Sequence, residues 1–140
     1  MIAYLDTSLI VALLTADVHQ LRAEAAVAGW SGEVAFSDWG AVEFASAVGR
    51  RVRTGAISAP AGHIAFQTFD AWAAAESASV TVEPPDFDRA GLMLRRLDLT
   101  LRAADAIHIA VSMRLGAGLM TFDEPMQRAA VAIGCPVVPV

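Results

Sequence analysis

Short apolar runs alternate along this sequence with longer stretches in which apolar residues recur every three or four positions. The first run, Ile2–Leu5, has the length of a buried strand, and Leu9, Ile10, Leu13 and Leu14 then follow at helical spacing. The alternation continues to the C-terminus. It predicts further strands at Glu33–Ser37 and at residues 80–82, 119–122 and 137–138, and further helices at residues 18–27, 39–53, 58–75, 87–97, 102–115 and 125–133.

Capping and helix-breaking residues mark the ends of these segments. Ser37 or Asp38 is the predicted N-cap of the helix at residues 39–53, and Ser58 is the predicted N-cap of the next helix. Pro84-Pro85 is a stop signal after the strand at residues 80–82. The chain therefore divides into short strands and separate helices, without a repeat or a linker.

Strands that alternate with helices need crossover connections, and this requirement defines the expected architecture. We predict an α/β fold in three layers, a parallel sheet of four or five strands with helices on both faces. A length of 140 residues fits one domain, residues 1–140. Ligands bind beyond the carboxyl ends of the strands in open sheets of this kind. Asp6 and Asp123, which follow predicted strands, are therefore expected at the mouth of any site.

Composition narrows the classes of protein to consider. Hydrophobic residues make up 56% of the chain, against about 45–50% in typical soluble domains. This excludes a disordered chain, and the apolar surplus predicts a dimer or a protein partner. The apolar runs are too short to cross a bilayer and the N-terminal segment does not resemble a signal peptide, so we expect a cytoplasmic protein.

The residue types that are missing exclude several chemistries. All ten basic residues are arginine, so mechanisms that need a lysine amine are excluded, among them P-loop phosphate binding, Schiff-base chemistry and phosphoacceptor receivers. A single cysteine, Cys135, allows neither an intrachain disulfide nor a cysteine metal cluster, and we expect it to be inert.

Four carboxylates lie in otherwise apolar tracts. Asp6 is the only charged residue in residues 1–16, Glu43 in residues 39–49 and Asp105 in residues 103–113, and Asp123 follows the apolar segment LMTF. A carboxylate in such surroundings is costly to ionise unless a cation or a hydrogen bond compensates it. No arginine within these tracts is adjacent to these carboxylates, although distant arginines could fold in. A hard divalent cation such as Mg²⁺ or Mn²⁺ is the simplest compensation.

Each of these carboxylates also has a purely structural explanation. Asp6 and Asp123 precede helices and are suited to N-capping, and Asp105 lies early enough in its helix to favour the macrodipole. Glu43 has no capping explanation, although a buried, paired glutamate remains an alternative. Their expected convergence at one edge of the sheet favours a functional site.

Four segments of the sequence, IAYLDTSLIVALL, WGAVEFASAVGRRV, LRAADAIHIAVS and LMTFDEPMQRAA, resemble in this order the signature blocks of PIN-domain nucleases, and more narrowly of VapC toxins of type II toxin–antitoxin pairs. The resemblance covers nearly the whole chain. It implies a three-layer α/β ribonuclease that depends on Mg²⁺ or Mn²⁺, forms a homodimer and is inhibited by a cognate antitoxin. Matched residue by residue, the family's acidic metal-site positions fall on Asp6, Glu43, Asp105 and Asp123, and its hydroxyl positions near the metal fall on Thr7 or Ser8 and on Thr121.

Several side chains near these positions have open roles. A net charge of −5 argues against binding nucleic acid by phosphate neutralisation alone. Arg50, two turns beyond Glu43 on roughly the same helix face, is the better candidate RNA contact, and Arg102, just before Asp105, is a weaker one. For His108 we favour a packing or hydrogen-bonding role over metal ligation. Glu124 is more simply the acidic first turn of a helix than an outer ligand.

Two other functions stay open from the sequence. A phosphatase or phosphotransfer domain with a strand-end aspartate is one, although such phosphatases usually carry a second aspartate where Ser8 stands here. A PIN-like binding module that has lost catalysis is the other. A Rossmann nucleotide-binding domain is excluded, because no G-x-G-x-x-G follows a strand.

Overall fold

A parallel sheet of four strands lies at the centre of the structure, a computed structural model that describes residues 1–75 and 78–140. In chain order its elements are β1 (Ile2–Leu5), α1 (Thr7–Leu14), α2 (Gln20–Ala28), β2 (Glu33–Ser37), α3 (Asp38–Arg53), α4 (Ala59–Ala75), β3 (Ala78–Val80), α5 (Pro84–Leu94), α6 (Ala103–Arg114), β4 (Gly118–Met120) and α7 (Glu124–Ile133). The strand order is β3-β2-β1-β4.

Alternate side chains of β1 enter two separate hydrophobic cores. Tyr4 packs with buried residues of α5, α6 and α7. Ala3 and Leu5 pack with buried residues of α1, α2, α3 and α4. Because successive residues of a strand point to opposite faces of a sheet, the two cores lie on its two sides. The predicted three-layer α/β fold is confirmed.

The register of the sheet brings several chain segments to one edge. β1 pairs with β4 so that Leu5 lies opposite Met120, and the Asp6 N–H donates to the Met120 carbonyl at 3.2 Å. On its other side β1 pairs with β2, the strand that leads into the N-cap Ser37 of α3. The residues that follow β1, β2 and β4 are therefore neighbours at the carboxyl edge of the sheet.

The predicted fifth strand is a single pairing. Val137 forms an isolated parallel bridge with Leu119, and the Val138 N–H donates to the Leu119 carbonyl at 2.9 Å. Pro136 and Pro139 flank this segment and have no N–H to extend the ladder. Within residues 1–75 and 78–140, the sheet therefore has four strands.

The elements around Pro84-Pro85 begin earlier than the sequence pattern predicts. β3 is Ala78–Val80 rather than residues 80–82, and α5 begins at Pro84 and ends at Leu94 rather than spanning residues 87–97. Pro84 and Pro85 occupy the first positions of α5, where no intrahelical N–H bond is required. The two prolines therefore begin a helix.

A buried ion pair joins α5 to α6. The Asp86 side chain, only 2% exposed, accepts from Arg114 Nε at 3.0 Å on each oxygen and also from the Glu83 N–H. Arg114 Nη2 also donates to the Thr81 carbonyl at 2.8 Å. One guanidinium therefore holds together the end of α6, the start of α5 and the segment after β3.

Large apolar side chains outside the central core residues are divided between partly buried and exposed positions. Leu13, Leu14, Phe66 and Trp72 are partly buried and pack against the core beside α1 and α4. In the described ranges, the exposed large hydrophobic residues are others: Met1, Val18, Leu21, Val42, Ile64, Phe87, Leu92, Leu97 and Val131. No helix of the described ranges is long and apolar enough to cross a membrane.

Cys135 is buried beside α6. Its Sγ lies 3.7 Å from Ser112 Oγ, and burial raises the pKa of the thiol. A raised pKa keeps the sulfur protonated and unreactive at neutral pH. This agrees with the expectation that Cys135 is inert.

Candidate active site

Asp6 lies directly after β1 and is only 2% exposed. Its Oδ1 accepts from the Leu9 N–H at 3.0 Å, as the N-cap of α1, and its Oδ2 accepts from Thr121 Oγ1 at 2.6 Å. Ser8 Oγ also lies within hydrogen-bond distance of both oxygens. Burial nevertheless raises the pKa of Asp6 against these hydrogen bonds and the nearby His108. Asp6 is therefore both a helix cap and a carboxylate whose charge the fold compensates only in part.

Glu43 projects from α3 toward the same edge. Its Oε2 accepts from Thr7 Oγ1 at 2.6 Å and lies 2.6 Å from His108 Nε2. Burial raises the pKa of Glu43, but the hydrogen bonds from His108 and Thr7 outweigh it, so the net shift is downward. Glu43 is therefore ionised at neutral pH.

Asp105 and Asp123 share one arginine. Arg102 Nε donates to Asp105 Oδ2 at 3.0 Å, and Arg102 Nη2 donates to Asp123 Oδ2 at 3.2 Å. The hydrogen bond with Asp105 is the largest cause of a raised Arg102 pKa, and the negative charges of Asp105 and Asp123 add to it. The Arg102 side chain is 76% exposed, so the fold does not enclose this bridge.

The expectation that no arginine nearby in the sequence compensates these carboxylates was wrong for Asp105, whereas Asp123 is met by an arginine that is distant in the sequence. Arg102 is the N-cap residue of α6, and Asp105 lies three positions further on, a spacing that brings two side chains together on a helix. That spacing was a signal in the sequence. The contact with Asp123, 21 residues along the chain, had none.

The four carboxylates line one small cavity of about 110 Å³. Its wall consists of Asp6, Thr7, Ser8, Glu43, Arg102, Asp105, His108, Asp123 and Met126. The expected convergence of the four acidic residues on one edge of the sheet is thus seen in the structure. The hydroxyl groups of Thr7, Ser8 and Thr121 all bond to carboxylates of this set, so they hold the acidic side chains in place.

The donor set of this cavity fits a hard divalent cation. In the described ranges, no three His, Cys, Asp or Glu side chains converge tightly enough to enclose an ion by themselves. Mg²⁺ does not require such a cage, because it commonly keeps several waters and binds one or two carboxylates together with substrate phosphates. Asp6, Glu43, Asp105 and Asp123 supply the oxygen ligands that such an ion prefers.

A larger groove of about 540 Å³ adjoins this cavity and shares Thr7, Ser8, Glu43 and Arg102 with it. Arg50 and Arg51 of α3 also line the groove. Arg51 Nη2 is paired with Asp17 Oδ2 at 2.8 Å, whereas the Arg50 guanidinium forms neither an ion pair nor a hydrogen bond with any described residue. Arg50 is therefore the arginine of this groove that is free to meet an anion.

Comparison with known families identifies the fold family. A model of the family described as PIN domain matches residues 3–132. This chain belongs to the PIN-domain family. None of the curated protein sequences matches this PIN domain.

Solved structures with a similar fold extend over almost the whole PIN domain. VapC20 of Mycobacterium tuberculosis, a toxin that cleaves the sarcin-ricin loop, has a TM-score of 0.77 at 19% identity over 99% of both chains. FitAcB of Neisseria gonorrhoeae has a TM-score of 0.76 at 16% identity over 99% of this chain and 97% of its own. VapBC2 of Rickettsia felis, bound to a promoter DNA fragment, has a TM-score of 0.74 at 13% identity over 99% of this chain and 98% of its own. At such identities the likeness establishes the fold.

Proposed function

We propose that this PIN domain is a Mg²⁺- or Mn²⁺-dependent endoribonuclease and the toxin of a type II toxin–antitoxin pair. The observation that carries the proposal is the cavity lined by Asp6, Glu43, Asp105 and Asp123 beside a groove with arginine side chains. The similar fold of VapC20, an RNA-cleaving toxin, supports it. The proposal takes residues 1–140 as one domain that acts on RNA in the cytoplasm.

In the proposed mechanism the four carboxylates hold the cation, and Thr7, Ser8 and Thr121 fix their orientation. When bound there, such an ion would supply charge neutralisation at the scissile phosphate and would lower the pKa of an attacking water. A carboxylate of the same set would accept the proton of that water. This chemistry needs no lysine, which the chain lacks.

Exposed apolar surface supports the proposed homodimer and the cognate antitoxin. A small apolar groove of about 190 Å³ runs between α3 and α4 and is lined by Val48, Val52, Gly62 and Phe66, among others. Exposed hydrophobic side chains elsewhere include Ile64 on α4. Burial of such surface is the usual driving force for protein association.

The experiment that tests the proposed function compares structured RNAs incubated with the purified protein in Mg²⁺, in Mn²⁺ and in EDTA. We expect endonucleolytic cleavage with either ion and none in EDTA, with recovery when Mn²⁺ is added in excess. Expression of the protein alone is expected to arrest growth. Phosphate release from small esters without RNA cleavage would support the phosphatase alternative instead, and RNA binding without cleavage would support the binding module.

Arg50 is the proposed RNA contact of the groove, and its replacement tests that assignment. Arg50→Ala is expected to raise KM for RNA several-fold with little change in kcat. It is also expected to reduce the slope of log K for RNA binding against log salt concentration by about one, the effect of losing one phosphate contact. Arg95→Ala is the matched control, because Arg95 is also an exposed arginine near a helix C-terminus but lies outside the groove. Equal effects of the two substitutions would contradict a specific role for Arg50.

Arg102 is the second proposed RNA contact, and it also competes with a cation for Asp105 and Asp123. Arg102→Ala is expected to strengthen Mn²⁺ binding to the RNA-free protein by no more than about fivefold, since exposed ion pairs contribute only ~0.2–1 kcal/mol. The same substitution is expected to raise KM for RNA. Isothermal titration calorimetry with Mn²⁺ measures the first effect, and unchanged or weaker Mn²⁺ binding would show that Arg102 does not compete.

A further inference from the structure

A buried chain of hydrogen bonds ends at the Glu43 carboxylate. Ser37 Oγ lies 2.6 Å from the Tyr4 hydroxyl, which lies 2.9 Å from His108 Nδ1, and His108 Nε2 lies 2.6 Å from Glu43 Oε2. Tyr4 and Ser37 are fully buried and His108 is 1% exposed. Water is therefore excluded from the chain everywhere except at its Glu43 end.

The direction of each hydrogen bond in this chain follows from the groups at its two ends. An ionised carboxylate only accepts, so His108 Nε2 carries a hydrogen and donates to Glu43. In a neutral imidazole, Nδ1 then accepts from the Tyr4 hydroxyl. Tyr4 in turn accepts from Ser37, whose Oγ accepts from the Gly40 N–H at 3.2 Å.

The contact of Thr7 with His108 agrees with this direction. Thr7 Oγ1 donates its single hydrogen to Glu43 Oε2 and also lies 3.2 Å from His108 Nε2. A hydroxyl that has given its hydrogen to the carboxylate can only accept from the imidazole. Nε2–H is therefore the arrangement that satisfies both contacts.

Both donors bind the same oxygen of Glu43. Thr7 and His108 converge on Oε2, and Oε1 accepts no hydrogen bond from any residue in the described ranges. Glu43 lines the small acidic cavity as well as the groove. Two fixed bonds on one oxygen set the orientation of the carboxylate and leave its second oxygen available to a ligand.

We propose that His108 is a positioning residue for the reaction: it orients the Glu43 carboxylate through Nε2–H, and Tyr4 holds the imidazole in the tautomer that can do so. The inference rests on the proposed nuclease function. Groups that orient metal-binding side chains through hydrogen bonds are commonly worth about 10–100-fold in affinity or activity. Because Tyr4 and Glu43 engage both ring nitrogens, His108 in this proposal acts through Glu43 and is not itself a ligand of the cation or the substrate.

Kinetics of three variants test this role. His108→Leu, which removes the donor, is expected to lower kcat for RNA cleavage about 10–100-fold while KM changes less than about threefold. His108→Gln keeps an N–H donor on a side chain of similar reach and is expected to recover at least half of that loss on a logarithmic scale. Tyr4→Phe keeps the ring packing and is expected to lower kcat by a smaller factor than His108→Leu. Thermal unfolding reports whether each variant folds.

The nitrogen resonances of the wild-type protein test the inference without activity. Side-chain ¹⁵N NMR is expected to show at neutral pH a hydrogen on His108 Nε2 and none on Nδ1. Either the Nδ1–H tautomer or an imidazole with hydrogens on both nitrogens would overturn the inference. His108→Gln with a kcat as low as that of His108→Leu, both being folded, would overturn it as well. Wild-type protein without metal-dependent cleavage would instead refute the proposed function, and the NMR result would still decide the tautomer.

Discussion

Asp6→Asn is expected to abolish the proposed nuclease activity without weakening the fold. We expect the rate of RNA cleavage in Mn²⁺ to fall by more than about 100-fold, because groups that merely orient metal ligands are already worth about 10–100-fold. Asparagine keeps the shape of Asp6 and the Oδ1 acceptor for the Leu9 N–H. Its amide can donate to Thr121 Oγ1 in place of accepting from it.

The stability of this variant follows from the burial of Asp6. Burial raises the pKa of Asp6, so the folded chain binds a proton at this site more readily than the unfolded chain does. Such a group makes the free energy of unfolding fall as pH rises from the unfolded pKa through the folded pKa. Asparagine does not titrate, so the variant does not undergo this decrease in the free energy of unfolding. The metal-free variant is therefore expected to be at least as stable as the wild type at pH 7.

Thermal unfolding with and without Mn²⁺ measures both properties. A ligand that binds only the folded state raises Tm, so Mn²⁺ is expected to raise the Tm of the wild type and to have a much smaller effect on Asp6→Asn. Asp98→Asn is the control, since Asp98 is exposed, pairs only with Arg96 among the described residues and lies outside both cavities. Full cleavage activity in Asp6→Asn would refute the role of Asp6.

Arg114→Ala is expected to produce the largest loss of stability of the substitutions considered. It leaves the Asp86 carboxylate buried without its cation, and removal of one partner of a buried pair typically costs about 3–5 kcal/mol. The Arg114 side chain is 25% exposed, so we expect the lower end, about 3 kcal/mol. The Tm of a domain of this size falls by about 2–4 °C for each kcal/mol lost from the free energy of unfolding, so we expect a decrease in Tm of roughly 6–12 °C.

Two further variants separate the charge effect from lost packing. Arg128→Ala removes an exposed arginine that lies 3.7 Å from Glu124, and it is expected to change the free energy of unfolding by less than about 0.5 kcal/mol. Asp86→Asn in the Arg114→Ala background removes the unpaired charge and is expected to recover about 1 kcal/mol or more. No recovery in this double variant would mean that packing of the arginine stem, and not its charge, stabilises the contact between α5 and α6.

The candidate site was predictable in its members but not in their contacts. Asp6 and Asp123 were identified because each follows an apolar strand, and Glu43 and Asp105 because each is the only charge in an apolar helical tract. The structure shows that Arg102 bridges Asp105 and Asp123 and that His108 bonds to Glu43. Neither Asp123 nor Glu43 is near its partner in the chain, so no local pattern reports these bonds.

The same distinction applies to the secondary structure. The period of the apolar residues predicted β1, β2 and the helices, since period and capping are local properties of the chain. Pro84-Pro85 was interpreted only as a stop signal after a strand, although a proline can also begin a helix. Packing decided that Pro84 begins α5 and that Val137 forms only a bridge.

By itself the sequence determined the α/β class, the order of the strands and helices along the chain, and the four acidic positions at the carboxyl edge of the sheet. These follow from periodicity and from the cost of placing a charge among apolar residues. Only the tertiary structure decided which groups compensate those charges. Hydrogen bonds and ion pairs act over a few ångströms, and the distances between α3, α6 and the loop after β4 are set by how the two cores pack against the sheet.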